Sequence, residues 1–285
     1  MITVSVEQGT VEWHSLRRSK IGASDCPAIL GKSHYKGHTA YSIWRSKVLG
    51  EEAEVTAAMQ RGKDLEAEAL KAACDTFKCE FRPIVAVSTT HPWQMASLDG
   101  FNDERGTVIE IKCPGEKVFN SIEKGDIPEN YMWQIQHQLA VTGVWEGILY
   151  AYNGTRGVFI TIMRDESMIE ELIEAEHNFW FNHVLKFDPP KLQKGDFVER
   201  NDEKSIKWAQ AGVSIAESRK YLDELEEAHR AEGIALCEGV SSIVGGVKVT
   251  KVFTKGRIDY EAIPLLKDID LEKYRKPGRE SWRIS

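Results

Sequence analysis

Cysteine is scarce in this chain and its spacing is uninformative. Five cysteines (Cys26, Cys74, Cys79, Cys113 and Cys237) occur in 285 residues, an odd number with no CxxC pair. A disulfide framework and a four-cysteine zinc or iron–sulfur site are therefore excluded as organising features, and reduced thiols in a cytoplasmic protein are the expectation. No run reaches the roughly 18 apolar residues of a membrane span, and no apolar leader follows the N-terminus, so neither a transmembrane segment nor a signal peptide is expected. An excess of positive charge is also missing. The formal net charge is −7 and the pI is near 5.7, which argues against a general polycationic coat for nucleic acid. Internal repeats and low-complexity segments are absent as well.

Hydrophobic residues make up 42% of the chain, enough for a packed core. The length suits one large domain or a domain with an appendage. Charge is placed unevenly: residues 1–50 hold Arg17, Arg18, Lys20, Lys32, Lys36, Arg45 and Lys47 against Glu7, Glu12 and Asp25.

The stretch richest in chemistry is Ser97-Leu98-Asp99-Gly100 followed by Val108-Ile109-Glu110-Ile111-Lys112-Cys113-Pro114. Asp99-Gly100 after an apolar run reads as a turn. Val108–Lys112 alternates as a strand does, which sends Ile109 and Ile111 to one face and Glu110 and Lys112 to the other. Two carboxylates and an ammonium can then meet. Carboxylate oxygens are hard ligands suited to Mg²⁺, and a lysine beside them can orient or activate a water. Taken alone, these residues read equally as a turn and a solvated strand face. Cys113 reads as a packing residue, because thiolates do not suit magnesium.

The remaining elements follow from periodicity and punctuation. Ser24 to Gly31 reads as a short helix with Ser24 as N-cap and Pro27 in its first turn. With Arg17 nearby, that N-terminus could take a phosphate or be a plain capped helix. Helices are predicted over 41–49, 56–76, 128–143 and 165–187, and strands over 80–87, 94–98 and 107–112. A hairpin is predicted from 147–152 and 158–163. In the second helix Glu66 and Glu68 compete for the sheet edge. In the third, Tyr131, Gln134 and Gln138 share a face, as active-site groups or as a packed polar edge. His137 reads as structural. Residues 188–203 read as a linker, after which come a helix over 205–232, a hairpin around Gly245-Gly246 and a basic tail containing Trp282.

Four segments together resemble a known family. Asp99 with Glu110-x-Lys112 resembles the core of the PD-(D/E)xK nucleases. Trp13-His14-Ser15-Leu16-Arg17 with Ile21-Gly22-Ala23-Ser24-Asp25, Gly62-Lys63-Asp64-Leu65-Glu66, and Tyr131-Met132-Trp133-Gln134-Ile135-Gln136 resemble its lambda-exonuclease-like, YqaJ-type viral recombinase branch. The resemblance covers about residues 11–185. It implies an α/β (α+β) restriction-endonuclease-like core, a central mixed sheet flanked by helices, over 1–187, with 204–285 as a helix-and-hairpin extension. It also implies a Mg²⁺-dependent 5′→3′ exonuclease on linear duplex DNA, leaving 3′ single strands for an annealing recombinase. Asp99, Glu110 and the Ile111 carbonyl would bind metal, with Glu66 at a second metal position and Mn²⁺ a possible substitute. Lys112 would handle the water, Gln134 would join the site, and Tyr131 and Gln136 would support it. Arg17 and Ser24 would hold a 5′-phosphate, and the assembly would be a trimeric ring. An internally cutting endonuclease and a non-catalytic DNA-binding accessory are the alternative readings.

Overall fold

The computed structural model describes residues 1–51, 56–256 and 271–284. The chain divides into two compact units, Met1–Phe197 and Val198–Ser285. The first is a mixed α/β unit with a central mixed sheet flanked by helices.

Its elements are β1 (Ile2–Val4), α1 (Val11–Arg18), β2 (Ile21–Gly22), α2 (Cys26–Ile29), α3 (Ala40–Trp44), α4 (Ala57–Phe77), β3 (Arg82–Val87), β4 (Gln94–Asn102), β5 (Thr107–Lys112), α5 (Glu116–Glu123), α6 (Glu129–Thr142), β6 (Glu146–Tyr152), β7 (Gly157–Met163) and α7 (Glu166–Asn178). The sheet order is β1-β3-β4-β5-β6-β7, and β2 pairs with β4. Strands β5 and β6 are parallel, so a crossover must join them, and α5 and α6 supply it. The other consecutive pairs are antiparallel.

Period-two alternation divides β5 between two cores. Ile109 and Ile111 pack with Ala69 and Ala73 of α4 and with Ile148 and Tyr150 of β6. Val108 packs on the opposite face with Ile135 and Leu139 of α6 and Leu172 of α7. Helix α6 is buried nearly all round, as a helix wedged between sheet and helix must be. Gly100 lets the strands close. A Cβ there would stand 2.7 Å from both Ile109 Cγ2 and Phe81 Cβ.

Several sequence expectations are corrected. Asp99 and Gly100 lie inside β4 and form no turn, because cross-strand pairing of Gly100 with Ile109 overrides the local Asp-Gly preference. The helix expected from Ser24 to Gly31 shrinks to the four residues of α2. Its N-cap position is Asp25, without a side-chain cap bond. Such a short helix offers little dipole. Helix α5 was not anticipated. Part of the expected linker folds on the first unit: Thr39 Oγ1 donates to Asp196 Oδ1 at 2.5 Å, and Arg45 donates to the Phe197 carbonyl at 3.3 Å.

The second unit contains α8 (Glu203–Ala235), β8 (Ser242–Val244), β9 (Val247–Thr254) and β10 (Arg279–Ile284). Asp202 caps α8 by accepting from Ser205 N at 3.0 Å. Gly245 and Gly246, at φ +54° and +88°, make the tight turn between β8 and β9. The basic tail supplies β10, paired antiparallel to β9. The side chain of Trp282 lies outside the described residues. Among the described residues, no helix is long and apolar enough to cross a membrane.

Candidate active site

The site opens where the sheet splits. Strand β4 pairs with β5 only from Gly100↔Ile109 to Asn102↔Thr107, and with β2 only at Gln94 and Met95. Residues 96–99 therefore leave a gap on that edge, and Asp99 lies at its end beside the last residues of β5. On the β4 edge, where the β4–β5 pairing has ended, Ile111 N–H donates to Asp99 Oδ2 at 2.8 Å. A strand residue directs its N–H and C=O to the same side, so the Ile111 carbonyl also faces this gap.

Glu110 and Lys112 point together towards α6, as alternation requires. Lys112 Nζ lies 2.6 Å from Glu110 Oε1. Gln134 bridges the pair, accepting from Lys112 at 2.9 Å and donating to Glu110 Oε1 at 2.7 Å. Gln138, one turn along α6, donates to Glu110 Oε2. Lys112 Nζ also stands 5.1 Å above the Tyr131 ring, a cation–π placement. Glu66, exposed on α4, reaches the group through charge.

The electrostatics are those of carboxylates held close. Burial, and then the Glu110 charge, raise the Asp99 carboxyl well above its ordinary range, with Glu66 adding to the shift. Partial burial against the site, and then the Glu110 charge, raise Glu66 as well. Burial opposes the Lys112 charge, but Glu110 and Asp99 outweigh it and raise the ammonium, so Lys112 remains a cation and a donor. Glu68, the competing glutamate, is engaged elsewhere: it accepts from Tyr152 Oη at 2.6 Å.

Gln136 does not belong to this group, which corrects the expectation for it. Two residues along a helix is over half a turn, so Gln136 faces away from Gln134. It donates to the Met163 carbonyl at 2.8 Å and accepts from Asp165 N at 2.9 Å.

Arg17 and Ser24 do meet. Arg17 donates to Ser24 Oγ at 2.7 Å and lies 3.1 Å from Asp25 Oδ1. Asp25 also takes Lys47 Nζ at 2.6 Å. Burial raises the Asp25 carboxyl, but the charges of Lys47 and Arg17 outweigh burial and leave it far below its usual range. Two cations against one anion leave this cluster a surplus positive charge. Sequence reasoning missed Asp25 and Lys47 as partners. Gln138 was visible by its four-residue spacing from Gln134.

Behind the site lies a sealed polar network. Among the described residues, one group of three brings possible metal ligand atoms within 4.8 Å of one another: Cys26, His137 and Glu176. Its groups already bond to one another and to their surroundings. Glu176 lies 2.7 Å from His137 Nδ1 and accepts from Gln94 Nε2 at 2.6 Å. His137 Nε2 lies 3.0 Å from the Met95 carbonyl. These contacts tie α2, β4, α6 and α7 together, and the role of His137 is structural.

The protein YqaJ of Bacillus subtilis (strain 168), described as uncharacterized, is 26% identical over 201 residues, which are 68% of this chain and 62% of that one. Among solved structures, LHK-Exo in complex with dAMP superposes with a TM-score of 0.55 at 24% identity, covering 63% of this chain and 95% of the other. The alkaline exonuclease LHK-Exo from Laribacter hongkongensis gives 0.54 at 24% identity, with the same coverage. At that identity the likeness establishes a shared fold. Residues 12–145, which hold both the Arg17–Ser24 cluster and the Asp99–Glu110–Lys112 cluster, match the model of the YqaJ-like viral recombinase domain.

Proposed function

We propose that this protein is a metal-dependent nuclease acting on DNA, and more narrowly a 5′→3′ exonuclease on linear duplex. The observation that carries this reading is the convergence of Asp99, Glu110, Lys112 and Gln134 at the split between β4 and β5. The family match and the exonuclease fold support it.

The donor set fits a hard divalent cation such as Mg²⁺. Asp99, Glu110 and the Ile111 carbonyl would offer it oxygen ligands, and Glu66 would serve a second ion. The raised Asp99 carboxyl marks negative charge that lacks a sufficient counter-charge. When bound, such an ion supplies Lewis acidity to the phosphoryl oxygens. Gln134 and Gln138 fix the Glu110 carboxylate. Lys112, anchored by Glu110 and Gln134, donates to the attacking water and sets its line of approach. Mn²⁺ is the expected substitute. By resemblance, the product's 3′ single strand would pass to an annealing recombinase, and the working form would be a trimeric ring in the cytoplasm.

The positive Arg17–Lys47–Asp25 cluster suits the 5′-phosphate of the degraded strand, with Arg17 and Ser24 as its donors. An end-dependent enzyme needs such a pocket and an internally cutting one does not. Wild type should degrade 5′-phosphorylated duplex faster than 5′-hydroxyl duplex. Arg17→Ala should lower kcat/KM on the phosphorylated end by roughly 10–100-fold, the worth of a charge-assisted hydrogen bond. The rate on hydroxyl ends should hardly change. An equal loss on both ends would remove the phosphate pocket from this account.

A further inference from the structure

The loop between α2 and α3 carries a residue that the reaction just described does not use. Tyr35 is 58% exposed although it lies at the mouth of the site. Its hydroxyl is 3.4 Å from that of Tyr131, and the Tyr131 ring is the one beneath the Lys112 ammonium. One tyrosine thus separates Tyr35 from the catalytic cation.

The loop is built, and built onto α6. Ser33 Oγ bonds to His38 Nδ1 at 2.8 Å and accepts from Tyr35 N at 3.3 Å. His38 N donates back to the Tyr35 carbonyl at 3.1 Å, and Gly37 turns the chain at φ +75°. Lys32 joins Glu129, in the first turn of α6, at 3.0 Å. The His38 ring meets the edge of Tyr35 with centroids 6.3 Å apart. The neighbours of Tyr35 in sequence, His34 and Lys36, are exposed and bring positive or protonatable groups.

We infer that Tyr35 is a base-stacking platform for the DNA strand entering the site, holding the nucleobase next to the phosphate to be cut. This inference rests on the nuclease reading and deepens it by naming a residue that grips the strand. An aromatic face beside a lysine suits single-stranded nucleic acid irrespective of sequence, because every base offers a π-face. The loop bonds of Ser33, His38 and Lys32 hold the ring beside Tyr131 and hence near Lys112, so the stacked base fixes where the adjoining phosphate lies.

The test reads stacking directly and does not require turnover. A 5′-phosphorylated duplex carries 2-aminopurine at successive positions from its end, and its fluorescence is followed on binding to the full chain in EDTA. Quenching is expected with wild type and Tyr35→Phe at one position near the end, and is lost with Tyr35→Leu. In Mg²⁺, Tyr35→Leu should raise KM about tenfold on natural DNA, the worth of one stacked base. It should change nothing on a strand that is abasic at the quenched position. Equal losses on natural and abasic strands, or quenching that survives in Tyr35→Leu, would overturn the inference. Absence of hydrolysis by wild type, with the quenching pattern intact, would instead overturn the nuclease reading.

Discussion

Asp99→Asn should abolish metal-dependent DNA hydrolysis while making the fold more stable. Asp99 carries two burdens that pull apart. As a carboxylate it offers oxygen to a cation. Burial strips it of solvent, and Glu110 and Glu66 repel it, so its carboxyl is raised. Asn keeps an oxygen able to accept from Ile111 N, now bonded at 2.8 Å, and removes the repulsion. Activity should fall by roughly 10³-fold or more, since metal charge on the transition state is worth several kcal/mol. Stability without metal should rise by about 1 kcal/mol, or a Tm gain of roughly 2–4 °C for a unit of this size. Added Mg²⁺ should raise the Tm of wild type and not that of the variant. Circular dichroism melts with EDTA and with Mg²⁺ check the stability half, and a digestion assay checks the other. A variant that loses stability would show that Asp99 serves the fold rather than a cation.

Glu176→Gln should cost the most stability, and the cost should depend on pH. Both ring nitrogens of His137 face acceptors, Glu176 Oε1 and the Met95 carbonyl. A neutral imidazole donates from one nitrogen only, so the ring is an imidazolium opposite a carboxylate. Burial alone lowers the His137 pKa, but Glu176, the Met95 carbonyl and more distant Asp25 outweigh burial and raise it above 6.5. The Cys26 thiol also faces Glu176, and burial with that carboxylate raises it further from ionisation. A histidine raised on folding contributes stability that is full below its unfolded value and is lost as pH rises through the folded value. Removing the counter-charge should therefore cost about 3–5 kcal/mol below pH 6.5, the penalty of an unpaired buried charge, and less as pH climbs. Urea denaturation of wild type and variant across this range measures the gap. A gap independent of pH would mean a neutral network.

Some of the fold was legible in the sequence because it is local. Alternation over Val108–Lys112 placed Glu110 and Lys112 on one face, and the structure sends both towards α6. The four-residue spacing of Gln134 and Gln138 likewise survives as two donors to one carboxylate. Local signals failed where distant pairing decides. Asp99-Gly100 has turn chemistry, yet β3 and β5 hold it in a strand, with Gly100 packed against Phe81 and Ile109. The partnership of Asp25 with Lys47 joins residues on separate elements, and no spacing announces it. The tail's pairing with β9 is equally non-local. Gln136 misled because it falls within a motif while pointing off its face.

The central claim is that the carboxylates and lysine at the β4–β5 split hydrolyse DNA from its ends with a divalent cation. The most direct measurement incubates wild-type protein with 5′-phosphorylated linear duplex and covalently closed circles together, in Mg²⁺ and in EDTA. The account predicts loss of linear DNA in Mg²⁺ alone, with the circles intact. Circles nicked or linearised at a comparable rate, or linear DNA lost equally in EDTA, would contradict it.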